Sequence, residues 1–300
     1  MTSLKTWFKF IRPNFLTMTI VYVLLGFSLV IAQGFKINPE MLAITFAGAM
    51  TAHICVNVLN DYFDFKSGVD LEAHRTAVSG GSGLLNSGVL KASHAFYLGG
   101  FCLLATVLIG FYFIVELGFA IIPIGLIGLA MVVFYTTHLV KLGLGEFACG
   151  LGFAAMSIGT YFVQADRYTW GIAGIAGIPL ILGFEVLLLN EFPDVDSDRA
   201  GNRRNIPIIF GLKAASKVAI ALICASFAWV ILMVILNLIP ATALASLLLL
   251  PIGIKVAIGT WRHHGDQNAM INYLKLNVLF ILVFPLITSA GLIIGSFFSL

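Results

Sequence analysis

The sequence predicts an all-α, polytopic membrane protein of nine transmembrane helices, and three observations carry that reading. Of its 300 residues 60% are hydrophobic, only 10% are charged, and the mean hydropathy is +1.02. A soluble domain has about 25% charged and roughly 45–50% apolar residues, so a water-soluble globule is excluded. The apolar runs are continuous over about 20 residues, enough to cross a hydrocarbon core of ~30 Å as helix. A β-barrel would alternate in strands of about 10 residues, which leaves helices as the spanning solution.

Taken in order, the spans are expected at 14–32, 41–60, 95–115, 119–137, 144–164, 171–190, 217–237, 240–259 and 273–297. Lys5, Lys9 and Arg12 precede the first, whose length suits a retained helix rather than a cleaved leader. Pro123, Pro179, Pro251 and Pro285 fall inside spans and are expected to mark kinks. Cys55, Cys102, Cys149 and Cys224 all lie in apolar stretches, where packing is the expected role. The short links leave room for one domain only, 1–300. With the N-terminus inside, only Lys36 and Arg167 of the 17 basic residues fall on the outer side. The positive-inside rule therefore predicts a cytoplasmic N-terminus and an external C-terminus in the cell membrane.

Two long links, 61–94 and 191–216, face the same predicted cytoplasmic side and hold eight of the 14 acidic residues: Asp61, Asp64, Asp70, Glu72, Glu191, Asp194, Asp196 and Asp198. Each follows a span that runs into an asparagine, which suggests a distant internal repeat. At about 100° per residue, His53, Asn57, Asn60, Asp61 and Asp64 share one face of the second helix or its extension. Asn190, Glu191, Asp194 and Asp198 share another face, and Asp196 points away. Pro193 makes the geometry beyond it less secure.

Carboxylates spaced in this way repel unless something positive sits among them. Hard oxygen donors without converging Cys or His suit Mg²⁺, which binds one or two carboxylates together with phosphate oxygens. Lys66, Arg75, Lys91, Arg199, Arg203, Arg204 and Lys213 lie in the same links, and Arg in particular matches phosphate through its planar fork. The pattern points to Mg²⁺ ions shared with a diphosphate. A cation-coupled transporter is the alternative from another class. It would place acids near the middle of the membrane, whereas seven of these eight lie beyond the predicted span ends and Asp61 sits at the boundary.

With these motifs the sequence resembles the UbiA superfamily of intramembrane aromatic prenyltransferases. That family's N-D-x-x-D is matched by Asn60, Asp61 and Asp64, and its D-x-x-x-D by Asp194 and Asp198. NDYFDFKSGVD, YTTHLVKLGLGE and NEFPDVDSDRAG resemble, more narrowly, the 1,4-dihydroxy-2-naphthoate polyprenyltransferases of menaquinone synthesis, where Asp70, Tyr135 and Lys141 would have counterparts. The chain departs from that branch at His138 and Leu139, where prolines are frequent, and over 201–206.

The resemblance implies Mg²⁺-dependent transfer of a polyprenyl group from its diphosphate to an aromatic acceptor held at the membrane lipid, with no nucleic-acid partner. Dihydroxynaphthoate is the expected acceptor; hydroxybenzoate, homogentisate, a haem or glycerol phosphate are the rivals. Asn60, Asp61, Asp64, Asn190, Asp194 and Asp198 would hold the metals. Lys66, Arg75, Arg203, Arg204 and Lys141 would contact the diphosphate. Tyr62, Phe63, Phe65 and Tyr135 are candidates to face the allylic cation. Glu185 is expected to make an interhelical contact, His53 either that or a site contact, and SGGSG (79–83) to form a turn or lid.

Overall fold

The computed structural model describes residues 3–68 and 81–298. Among these, nine helices are long and apolar enough to cross a membrane: Pro13–Ala32, Pro39–Ser67, Ala92–Leu117, Phe119–Leu142, Gly145–Ala165, Trp170–Asn190, Leu212–Ile235, Ala241–His263 and Gln267–Ser296. Every predicted span has its helix. The main differences are earlier starts at Leu212 and Gln267, and a second span that continues to Ser67 instead of stopping at 60.

That extension carries the first acidic motif on unbroken helix. Asn38 opens the helix by accepting a hydrogen bond from the Met41 N–H (3.1 Å), with Pro39 in the first turn. Gly68 closes it at φ +81°, a left-handed conformation that glycine adopts without steric cost. Nothing between Asn60 and Ser67 breaks the i→i−4 ladder, so Asn60, Asp61 and Asp64 emerge at fixed helical angles.

The prolines act mostly by breaking spans into segments. Pro123 and Pro251 sit in the first turn of α-helical segments that follow 3₁₀ turns at Phe119–Ile121 and Ala241–Leu249. Pro179 follows a break at Ala176, and Pro285 alone lies within a continuous helix.

The main core joins the first span to the fifth through ninth, with Tyr22, Leu25, Tyr161, Ile178, Leu182, Phe280 and Phe284 fully buried. Helices in lipid gain little from apolar burial against one another, so close backbone approach matters. A Cβ on Gly150 of the fifth span would run into the Leu180 carbonyl of the sixth, and one on Gly26 into the Ser157 carbonyl. Ser157 also donates its hydroxyl to the Tyr22 carbonyl, 2.8 Å away. Glu185 makes the expected interhelical contact, accepting from the Asn277 amide at 2.9 Å.

The third and fourth spans are joined through Gly118 and present much of their surface outward, including Phe101, Leu104, Phe111, Phe119 and Leu126. A short helix, Leu4–Phe10, was not anticipated from the sequence. It sets Phe10 and Trp7 against Val58, Leu84, Leu85 and Leu90, beside the first motif.

Candidate active site

One large cavity, about 550 Å³, runs between the second, third, fourth and fifth spans. On the second span its lining extends from Thr45 to Asp64, some 28 Å of helix at ~1.5 Å per residue. Glycines, alanines, isoleucines and phenylalanines line most of that length. Polar groups gather at the motif-bearing end, where Asn60, Asp64, Tyr135, Asn190, Asp194, Asp198 and Arg203 all reach the cavity.

The first motif divides. Asn60 donates to the Asp64 carboxylate at 2.6 Å and accepts from the Thr136 hydroxyl at 3.2 Å, tying the second span to the fourth. Asp61, one helical step away, faces outside the cavity lining. It accepts the Ser82 N–H at 3.0 Å and lies 3.8 Å from the Arg12 guanidinium.

The second motif turns a corner. Its span ends at Asn190, a turn brings the chain past Pro193, and a short helix, Val195–Ala200, presents Asp198 inward while Asp196 stays exposed. Arg203 returns from the following turn and bridges the motifs, pairing with Asp64 and, at 3.0 Å, with Asp198. Asn205 donates to the other Asp198 oxygen at 3.0 Å. Burial pushes the Asp198 carboxyl above its usual range, against the pull of Arg203. Burial works against the Arg203 charge as well, but Asp64 and Asp198 outweigh it and raise its hold on the proton.

Tyr135 begins a π-helical turn, Tyr135–Leu139, within the fourth span. Such bulges widen the helix locally and recur at functional sites. Of the four aromatic residues expected near the mouth, Tyr135 alone lines the cavity. Tyr62 instead packs against Phe63 and Phe96, and the aromatic lining comes from Phe15, Phe111, Phe113 and Phe153.

Several basic residues expected at the diphosphate lie elsewhere. Lys66 is exposed, its ammonium 5.4 Å from the Tyr62 ring centre, because two residues along a helix from Asp64 put it on the opposite side. Lys141 and Arg204 are exposed and outside the cavity lining. Arg75 and Asp70 lie outside the described residues, as does the start of SGGSG, of which Gly81 reaches the cavity.

Sequence reasoning missed Arg12, which lines the cavity at a left-handed φ of 57° between the short N-terminal helix and the first span. It counted there only as a positive-inside charge. Asn57, on the predicted face, donates to the neighbouring Ile11 carbonyl at 3.2 Å, and His53 bonds the Thr19 hydroxyl at 2.7 Å while lining the cavity. A neighbouring pair of carboxyls, one buried and one half-buried, was also missed. Glu191 lines the cavity near Glu146, which accepts the Ile206 N–H at 2.8 Å. Burial first, and then Glu146, holds the Glu191 carboxyl well above the usual carboxylate range.

Among the described residues no three His, Cys, Asp or Glu side chains form a complete metal cage. The donor set still fits Mg²⁺. Asp61, Asp64, Asp194 and Asp198 stand against the two guanidinium groups of Arg12 and Arg203, leaving formal negative charge among hard oxygens at a partly buried cavity end. Mg²⁺ that takes its remaining ligands from water and phosphate suits such an incomplete shell.

Residues 19–282 match the UbiA prenyltransferase family. The chain belongs to this family. It is a multi-pass membrane prenyltransferase, and the expected fold is the one found. It is 26% identical over 295 residues to the 1,4-dihydroxy-2-naphthoate octaprenyltransferase of Bacillus subtilis, covering 95% of this chain and 91% of that one. The 2-carboxy-1,4-naphthoquinone phytyltransferase of Synechocystis is 24% identical, with 78% and 79% covered. A UbiA homologue from Archaeoglobus fulgidus, solved with GPP and Mg²⁺ bound, superposes with a TM-score of 0.64 at 11% identity, over 95% of this chain and 99% of that one.

Proposed function

We propose that this prenyltransferase moves a polyprenyl group from an allylic diphosphate to 1,4-dihydroxy-2-naphthoate, with Mg²⁺, at the cytoplasmic face of the cell membrane. The observation that carries the reading is the meeting of both acidic motifs, Arg203 and Tyr135 at the polar end of a long apolar cavity. The naphthoate-type acceptors of the two relatives support the choice of acceptor. The count of basic residues supports the orientation.

The barrier is charge separation. The C–O bond to diphosphate breaks with its electron pair on the leaving oxygen, and the allylic carbon becomes cationic. Mg²⁺, when held by Asn60, Asp64, Asn190, Asp194 and Asp198 with Asp61 nearby, would supply positive charge to the leaving group. Arg203 and Arg12 add fixed guanidinium donors at the same end, where preorganised charge is most effective. The apolar lining beneath takes the isoprenoid tail and keeps water from the cation. Tyr135 sits at the junction of the two regions and offers its ring face to the cation. An acceptor ring carbon then bonds to the allylic carbon, and the ring regains aromaticity when that carbon releases a proton, or its carboxylate as CO₂, and the bonding pair returns to the ring.

The test is prenyl transfer by purified protein in lipid, from a labelled polyprenyl diphosphate to a panel of aromatic acceptors, with Mg²⁺ or with chelator. Metal-dependent product with dihydroxynaphthoate is the expected result. Product only with another acceptor would reassign the substrate. No product and no diphosphate release would refute the reaction.

A further inference from the structure

We infer that Glu191 is the binding residue that receives a hydroxyl of the aromatic acceptor, an inference that rests on the reaction proposed above. An electrophile generated beside the diphosphate requires the acceptor ring at the same polar end of the cavity, next to the motifs. A phenolic hydroxyl taken out of water there needs a hydrogen-bond partner, or its desolvation opposes binding.

Several of the polar groups in this part of the lining are already committed. His53 is engaged by Thr19 and Asn57 by the Ile11 carbonyl. Asn60 is shared between Asp64 and Thr136. Glu191 differs, because no donor among the described residues reaches its carboxyl, although its Oε2 is buried and the residue lines the cavity. Near it stands Glu146, a carboxyl that is 1% exposed and anchored by the Ile206 N–H.

A carboxyl oxygen that no donor reaches is a vacant acceptor position beside the cavity. The residue remains partly open to the cavity, so this oxygen is available to accept a hydrogen bond. Glu191 also adjoins Asn190 in the chain and lines the cavity together with Tyr135 and Cys149. A hydroxyl that donates to this carboxyl would fix the orientation of the ring and push electron density toward the carbon that attacks.

The experiment measures binding, not turnover. Equilibrium affinities of 4-hydroxy-2-naphthoate and of 2-naphthoate, which lacks only the hydroxyl, are compared for wild type, Glu191→Gln and Glu191→Leu in lipid nanodiscs. A hydroxyl bonded to a buried acceptor is worth about ten- to a hundredfold in affinity. Wild type is therefore expected to prefer the hydroxylated ligand at least tenfold, Glu191→Leu to fall within about twofold of no preference, and Glu191→Gln to keep part of it. Geranyl diphosphate binding should stay at the wild-type value in both variants, which separates lost recognition from misfolding. If the leucine variant is not monodisperse, the glutamine variant decides, and an unchanged preference there overturns the inference. A wild type that ignores the hydroxyl, or binds neither naphthoate, overturns it too. Discrimination that depends on Glu191 without prenyl transfer would sink the reaction and leave the contact standing. Transfer with discrimination that survives both substitutions would do the reverse.

Discussion

The two acidic motifs carry similar residues and are built in opposite ways. The first rides a single helix, Pro39–Ser67, so every side chain leaves at an angle fixed by the helical ladder. The second straddles a helix end, a proline turn and a six-residue helix, so its geometry depends on contacts made elsewhere. Regularity separates neighbours and irregularity gathers them. Asp61 and Asp64 are three residues apart and serve different partners, whereas Asn190, Asp194 and Asp198 reach one cavity despite the broken helix.

The largest expected effect falls on the residues that join the motifs. Asp64→Asn and Asp198→Asn should each lower turnover about 10³-fold, the scale for losing a group that stabilises developing charge. Each removes a carboxylate that faces the cavity and pairs with Arg203. Single-turnover assays on monodisperse protein would measure it, and a loss below tenfold in both would break the link between the motifs.

Asp61→Asn sharpens the contrast. Asp61 is not itself in the cavity lining and is held by Ser82 and Arg12, so its loss should cost less, about 10²-fold, in line with charged hydrogen bonds worth ~1.5–3 kcal/mol. The same substitution should make the 81–90 segment more susceptible to limited proteolysis, because it weakens the tie at Ser82. A loss equal to that of Asp64→Asn, with unchanged proteolysis, would show that Asp61 joins the cavity cluster once substrate is bound.

Arg12→Gln asks whether the first motif borrows a cation from the N-terminal segment. Arg12 is a cavity-lining guanidinium beside Asp61, and its removal should raise KM for the prenyl diphosphate about tenfold with little change in kcat. An unchanged KM at low ionic strength would return Arg12 to an ordinary juxtamembrane charge.

These residues also mark where the sequence was legible. Hydropathy placed all nine spans because each must satisfy its own backbone in lipid, and helical periodicity put Asn60 and Asp64 on one face. The same arithmetic grouped Asp61 with them, since an angular stripe does not say which neighbouring chain covers its edge. The coverage by Ser82 and the short N-terminal helix is tertiary. Glu146 and Ile206 meet across 60 residues of sequence, and no local pattern announces the pair. The basic residues misled for a related reason. Charge composition put Lys66, Lys141 and Arg204 at the correct end of the molecule but did not distinguish those facing the cavity from those facing outward.

The smallest expected effect tests the second motif's geometry directly. Asp196 lies between two cavity-facing acids in sequence, yet the short helix turns it outward, where it is exposed. Exposed substitutions away from special contacts usually change stability by no more than about 0.5 kcal/mol. Asp196→Asn should therefore keep turnover and diphosphate KM within about twofold of wild type, although it removes the same charge as Asp194→Asn or Asp198→Asn. If charge alone at this end of the membrane were what mattered, the three variants would fall together. A severe loss at Asp196 would mean that the short helix rotates when substrate binds, and that the second motif, unlike the first, takes its working geometry only in the complex.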